Sequence, residues 1–191
     1  MKILFIGDIV GKPARSYLKE ILPSVRKDLG LDFIIANGEN AAGGSSLTPD
    51  TAEDIFVAGV DVMTSGDHIF KKKEAREVLD TRDLIRPLNY GDLAYGRGYI
   101  IKEVGGVKIG IINLIGRVFM QPVDCPFKAV KSILEDVKRE AKIIFVGLKI
   151  VRFLNFKKSK RVFVVYYQLC QHIFCMCSKK FLRRGVTFCF C

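Results

Sequence analysis

The sequence predicts an α/β fold in which a largely parallel sheet is covered by helices on both faces. Short apolar runs recur along residues 1–146 without the polar alternation of half-exposed strands, which is typical of strands buried on both faces. Segments with apolar residues at helical spacing separate these runs. The chain has 191 residues, of which 49% are hydrophobic. This is enough to bury a core, which excludes general disorder and a bare disulfide scaffold.

The first predicted elements are a strand, a helix and a second strand. Residues 2–7 form a continuous apolar run that is closed by Gly-Asp, so we predict a buried strand there. Residues 12–29 carry apolar side chains close to helical spacing, with Pro23 as an expected kink and Gly30 as the stop. Residues 32–36 form the second apolar strand.

The second helix has a clear start signal. Thr48 is a capping residue, Pro49 suits the first helical position, and Asp50 lies near the positive end of the helix dipole. We predict that this helix runs to Gly59. The remaining predicted elements are, in order, a strand over 61–64, a helix over 71–79, hairpin strands over 98–104 and 107–114 around Gly105-Gly106, a helix over 126–141 and a buried strand over 142–146.

Small residues and hard oxygen ligands follow the first three predicted strands. Because ligands bind beyond the carboxyl ends of parallel strands, we expect these residues to meet at one edge of the sheet. Their oxygen atoms could coordinate one or two divalent ions. The three segments are Gly7-Asp8-Ile9-Val10-Gly11, Asn37-Gly38-Glu39-Asn40 and Ser65-Gly66-Asp67-His68. The candidate metal ligands are Asp8, Glu39, Asn40 and Asp67.

Two other interpretations of these segments stay open. Asp and Asn are common in turns and helix caps for local hydrogen-bonding reasons, although three successive strand ends of this kind favour a shared site. Gly7, Gly11 and Lys12 loosely match a phosphate-binding loop. Their spacing is one residue short and Pro13 replaces the hydroxyl residue, so we give this interpretation less weight.

Five segments between Met1 and Val146 are shared, in order and at compatible spacing, with a known family. They are Gly-Asp-Ile-Val-Gly-Lys-Pro, Asn-Gly-Glu-Asn-Ala-Ala-Gly-Gly, Thr-Ser-Gly-Asp-His, Arg-Pro-Leu-Asn-Tyr and Ile-Asn-Leu-Ile-Gly-Arg-Val-Phe-Met. With them the chain resembles the YmdB-type branch of the calcineurin-like metallophosphoesterases, which are bacterial dinuclear phosphodiesterases linked to 2′,3′-cyclic nucleotides. The resemblance implies a calcineurin-like α/β sandwich of β-sheets flanked by helices, here incomplete.

The resemblance also implies roles for the strand-end residues. Asp8 would bind the first metal ion, Glu39 would bridge or bind beside it, and Asn40 and Asp67 would complete the oxygen shell. The cofactors would be two divalent ions, Fe or Mn first and Mg or Zn as alternatives, which generate a hydroxide for in-line attack. His68 would be the catalytic residue that protonates the leaving alkoxide.

Three departures from the family pattern affect the expected metal site. Asp67 stands where the family has Asn, which keeps an oxygen ligand and adds negative charge. Lys149 stands where the family has a metal-binding His. The later His-x-His ligands have no counterpart, since His172 is the only other histidine.

Residues 147–191 differ chemically from residues 1–146. They hold 10 of the 31 basic residues, none of the 20 acidic residues and five of the six cysteines, so the net charge of +11 lies almost entirely there. We expect 1–146 to be the N-terminal part of a metallophosphoesterase domain and 147–191 to be a non-homologous tail, produced by a shifted reading frame. Three alternatives stay open. The first is a nucleic-acid or anionic-lipid contact through Lys157-Lys158-Ser159-Lys160-Arg161 and Arg183-Arg184, and the second is a zinc site of Cys170, His172, Cys175 and Cys177. The third is that the basic run is only a solvated face.

The expected function is therefore metal-dependent hydrolysis of a small phosphodiester such as a 2′,3′-cyclic nucleotide, weak or absent in this chain because metal ligands are missing. The alternative is a non-enzymatic binder of RNA or an anionic surface through the basic tail. We expect a cytoplasmic protein, because no export signal is visible at the start of the sequence and its apolar runs are too short for a membrane span. The resemblance implies a homo-oligomer.

Overall fold

The computed structural model describes residues 1–118 and 120–150. In the rest of the chain it describes only the backbone of three strands, at 162–168, 181–183 and 186–188. Three helices follow the first strands, and a fourth follows the hairpin. The strands are β1 (Ile3–Val10), β2 (Phe33–Asn40), β3 (Val62–Thr64), β4 (Leu84–Ile85), β5 (Tyr99–Val104), β6 (Val107–Ile115), β7 (Ile143–Ile150), β8 (Val162–Gln168), β9 (Phe181–Arg183) and β10 (Val186–Phe188). The α-helices are α1 (Gly11–Leu29), α2 (Pro49–Val57), α3 (Ala75–Thr81) and α4 (Pro126–Glu140), and 3₁₀ turns cover Ile69–Lys71 and Leu88–Tyr90.

The described strands form two sheets. The first has the order β4-β3-β2-β1-β10-β9, and all of its pairings are parallel except that of β9 with β10. The second has the order β5-β6-β7-β8, in which β5 and β6 form an antiparallel hairpin and the other pairings are parallel. The predicted hairpin around Gly105-Gly106 is therefore present, but it starts a second sheet rather than extending the first.

The two sheets and their helices form four layers. Because side chains alternate along a strand, Ile3 and Phe5 of β1 face the second sheet while Leu4 faces the helices. Both faces of each sheet are apolar and must be covered, which explains the α/β/β/α order of the layers. Between the sheets lie Phe33, Ile35, Ile109, Ile111 and Phe145, and α4 covers the outer face of the second sheet through Val137.

Several elements extend beyond their predicted bounds. β1 continues to Val10, β2 to Asn40 and β7 to Ile150, so polar residues that were expected after the strands lie within them. All eight residues of β2 are buried, because the polar ones find partners inside the protein. Pro23 lies inside α1, which is continuous across it, and Gly30 ends the helix in the left-handed conformation at φ 58°.

Strands from residues 147–191 pair with both sheets. β8 runs parallel to β7, and β10 runs parallel to β1. The division of the chain at Val146 stays a prediction. The residues of the predicted zinc site and of the basic run at 157–161 lie outside the described residues. Within the described residues, no helix combines the length and apolar character that spanning a bilayer requires.

Candidate active site

The structure brings all five predicted site residues together at the ends of β1, β2 and β3. Asp8 lies in β1 opposite Asn37, between two register shifts that end the regular pairing with β2. Glu39 and Asn40 are the last two residues of β2, while Asp67 and His68 lie in the loop that follows β3. The parallel order of these strands places their ends side by side, as the sequence predicted.

Asp8, Asn40 and His68 form a hydrogen-bonded chain. The Asn40 amide donates to Asp8 Oδ2 over 2.6 Å, and its Oδ1 lies 2.6 Å from His68 Nδ1. An amide oxygen only accepts hydrogen bonds, so His68 Nδ1 carries the hydrogen. His68 Nε2 lies 3.4 Å from Asp67 Oδ2 and is the ring atom available for proton exchange.

Glu39 is completely buried, at 0% exposure. Its Oε2 accepts a hydrogen bond from the His68 backbone N–H over 3.3 Å, and its own N–H donates to Asn37 Oδ1 over 3.3 Å. Gly66 packs directly against this carboxylate: a Cβ at Gly66 would overlap Oε2 and lie 2.7 Å from Lys149 Cδ. A glycine is therefore required for this close approach.

A lysine from the second sheet completes the cluster. Lys149 lies near the end of β7, is 1% exposed, and forms ion pairs with Glu39 Oε1 and with Asp67 Oδ1, the latter over 2.7 Å. The sequence predicted that Lys149 replaces a histidine ligand, but it did not predict these contacts. We call Asp8, Glu39, Asp67 and Lys149 the buried charge cluster.

Burial shifts the pKa values of this cluster. It lowers the pKa of Lys149 to about 8, against the attraction of the Asp8 carboxylate, which raises it. Burial also raises the pKa of Asp8 above its ordinary value, against the Asn40 hydrogen bond and the positive charges of Lys149 and His68. Beside the cluster, burial and then the charge of Asp67 raise the pKa of Tyr90 to about 12, so its phenol is neutral.

Two buried asparagines fix loops of the structure, one of them at the site, and neither was among the predicted site residues. Asn113 in β6 donates to the backbone oxygen of Ser65 over 2.6 Å, which fixes the loop after β3 to the second sheet. Asn89 donates to the oxygens of Ile115 and Asp124 and accepts from the Ile115 N–H. Each is a polar residue in a buried stretch, which is the sequence signal that could have identified it.

A family model described as YmdB-like protein matches residues 4–151, which contain every residue of the site. The chain belongs to the YmdB-like family. Its fold is that of the calcineurin-like metallophosphoesterases, as the sequence predicted.

Relatives of this YmdB-like chain include a Bacillus subtilis protein named 2',3'-cyclic-nucleotide 2'-phosphodiesterase. It is 36% identical over 147 residues, which are 76% of this chain and 56% of the relative. The solved structure of a phosphatase from Mycoplasma pneumoniae has a TM-score of 0.69 and 32% identity, and the match covers 76% of this chain and 53% of that one. A hypothetical protein from Thermus thermophilus has a TM-score of 0.75 and 27% identity, with 98% of this chain and 74% of that one covered.

The YmdB-like chain spans about half the length of the curated relatives it matches, between 50% and 56%. Within this shared half, the predicted metal ligands Asp8, Glu39, Asn40 and Asp67 lie together. Their roles as ligands, and that of His68 as the catalytic residue, stay predictions.

The arrangement does not fit two metal ions. The Lys149 ammonium contacts oxygens of both Glu39 and Asp67, so an ion bound between them would have to displace it. Across the described ranges, no three His, Cys, Asp or Glu side chains are grouped so that they could hold a metal ion. Asp8 Oδ1 is buried and has no hydrogen-bond partner among the described residues, so it is the oxygen left open to a cation.

Proposed function

We propose that this YmdB-like chain acts on a small phosphodiester of the 2′,3′-cyclic nucleotide type. The observation that supports the proposal is the hydrogen-bonded chain from Asp8 through Asn40 to His68 at the strand ends. This chain fixes the orientation of the imidazole and leaves Nε2 as its reacting atom. In its protonated form, Nε2 carries a hydrogen that it can give to the departing alkoxide.

The name of the Bacillus subtilis relative supports the same substrate class. We expect slow turnover, because Lys149 lies where the family resemblance places a metal-binding histidine and contacts the Glu39 and Asp67 carboxylates. The family resemblance implies two divalent ions, Fe or Mn in preference to Mg or Zn. The residues of this chain do not fit two ions, so the roles assigned above use only its own side chains.

The test measures hydrolysis and binding of 2′,3′-cyclic AMP by the purified chain. We expect that His68→Ala abolishes the hydrolysis that the wild type shows above background and weakens nucleotide binding. His172→Ala is the matched control, because it is the same substitution at the only other histidine, and it should leave both values unchanged. Hydrolysis and binding that are the same in wild type and His68→Ala would refute the proposal.

The basic tail supports a second candidate function, the binding of RNA. Residues 147–191 carry ten basic residues and no acidic one. This function would be supported by RNA retention that weakens with rising salt and survives Asp8→Ala. The retention should be lost when the basic residues of the run at 157–161 are replaced by Gln.

We further propose that this chain forms a homo-oligomer and is cytoplasmic. Sedimentation tests the first proposal and cell fractionation tests the second.

A further inference from the structure

Lys149 is among the most completely buried charged side chains of the described chain. Lysine is almost never fully buried unless it is paired, and the exposed fraction of Lys149 is 1%. It meets Glu39, which is 0% exposed, and Asp67, which is 21% exposed. The Lys149–Glu39 ion pair, in which both side chains are buried, is therefore a different kind of contact from a surface ion pair.

Contacts of its backbone and of its side chain hold Lys149 between the two sheets. β7 lies in the second sheet, whereas Glu39 belongs to the first, so the ion pair crosses between the two sheets. The backbone of Lys149 is fixed by the Gly116 N–H, which donates to its oxygen over 2.7 Å. Its aliphatic stem fills the space beside Gly66, where a Cβ would lie 2.7 Å from Cδ.

The ammonium supplies positive charge that the carboxylates need. Asp8, Glu39 and Asp67 are three acids at one point of the molecule, and leaving any of them buried and uncompensated is strongly unfavourable. A metal ion between Glu39 and Asp67 would use the oxygens that Lys149 already contacts. Metal binding at this position and the ion pair therefore exclude each other.

We infer that Lys149 is an internal cation that takes the place of a metal ion between Glu39 and Asp67. The chain then folds without metal at this position and holds fewer than two divalent ions. This inference does not depend on the proposed phosphodiesterase activity, since it concerns charge balance and not turnover.

The test compares wild type with Lys149→Met, a substitution that keeps the length of the side chain and removes its charge. In EDTA the variant should unfold at a temperature about 10 °C lower, as expected for breaking a buried ion pair in a chain of this size. Added Mn²⁺ should restore the melting temperature of the variant. By calorimetric titration, wild type should bind at most one Mn²⁺ per chain and the variant one more. Lys142→Met, at an exposed lysine just before β7, is the matched control and should behave as wild type.

A double variant keeps the inference testable if Lys149→Met alone does not fold. Lys149→Met combined with Glu39→Gln removes both charges, so it should fold and melt at a higher temperature than Lys149→Met. The inference would be overturned if wild type bound two Mn²⁺ ions, or if Lys149→Met melted at the wild-type temperature in EDTA. A double variant less stable than Lys149→Met alone would overturn it as well.

Discussion

Two groups of ion pairs in this molecule have opposite ratios of acidic to basic residues and different surroundings. In the buried charge cluster, Lys149 is 1% exposed and is paired with Glu39, which is 0% exposed, and with Asp67, which is 21% exposed. On the outer surface, Arg15 and Lys19 of α1 share the Asp54 carboxylate of α2, and we call these three residues the surface charge cluster. Its members are between 12% and 44% exposed. From this difference we expect solvent access, more than the number of ion pairs, to decide how much a charge contributes to the stability of the fold.

The largest expected effect is the difference between two lysine substitutions of the same kind. Lys149→Met should lower the free energy of unfolding by about 3–5 kcal/mol, because it leaves the Glu39 carboxylate buried without a counter-charge. Lys19→Met should lower it by less than about 1 kcal/mol, since water solvates Asp54 when the lysine is gone. Urea unfolding of both variants in EDTA measures the difference. Equal losses would show that burial does not distinguish the clusters.

A smaller effect is expected from crowding the buried cluster without changing its charge. Gly66→Ala places a methyl group against Glu39 and Lys149, which should cost about 1–3 kcal/mol of stability by overpacking. The loss should be insensitive to salt, because it is steric, and urea unfolding at low and at high NaCl concentration measures it. A loss that disappears at high salt would mean that the substitution acts through charge instead.

The smallest effect is expected at Asp54. The hydrogen bonds from Lys19 and Arg15 hold the pKa of Asp54 below its ordinary value of 3.8. The carboxylate therefore contributes stability above that value, and the contribution is lost as the pH falls through the lowered pKa. We expect Asp54→Asn to cost less than about 1 kcal/mol at pH 7 and the gap to wild type to close below about pH 4. Thermal unfolding at a series of pH values measures this gap, and a gap that widens towards acid would contradict the assignment.

The sequence was sufficient to predict which residues meet at the strand ends. Asp8, Glu39 and Asp67 each follow a buried apolar run, and the rule that parallel strands end at one edge brings them together. The exact bounds were not predictable in the same way, because β1 and β2 continue through their polar residues. Their partners lie far away in the chain, as Asn40 does from Asp8, and no local pattern reveals such contacts.

The role of Lys149 in balancing the charge of the carboxylates could not be predicted from local sequence patterns either. Its replacement of a histidine was visible in the sequence, but its contact with Glu39 depends on how the second sheet packs over the first. The residues that fix this packing include Asn113, which joins β6 to the loop after β3. The contact between Asn113 and Ser65 joins residues 48 positions apart, and contacts of this kind arise only from the tertiary fold.

The position of Lys149 across the two sheets has a consequence for how the molecule opens. Separating the sheets would pull the ammonium from Glu39 and expose the apolar layer between them in the same event. The strands β2 and β7 should therefore lose their protection against hydrogen exchange together, with one opening free energy, instead of as two independent units. We therefore expect the ion pair that links the sheets to make the four-layer sandwich open as a single cooperative unit.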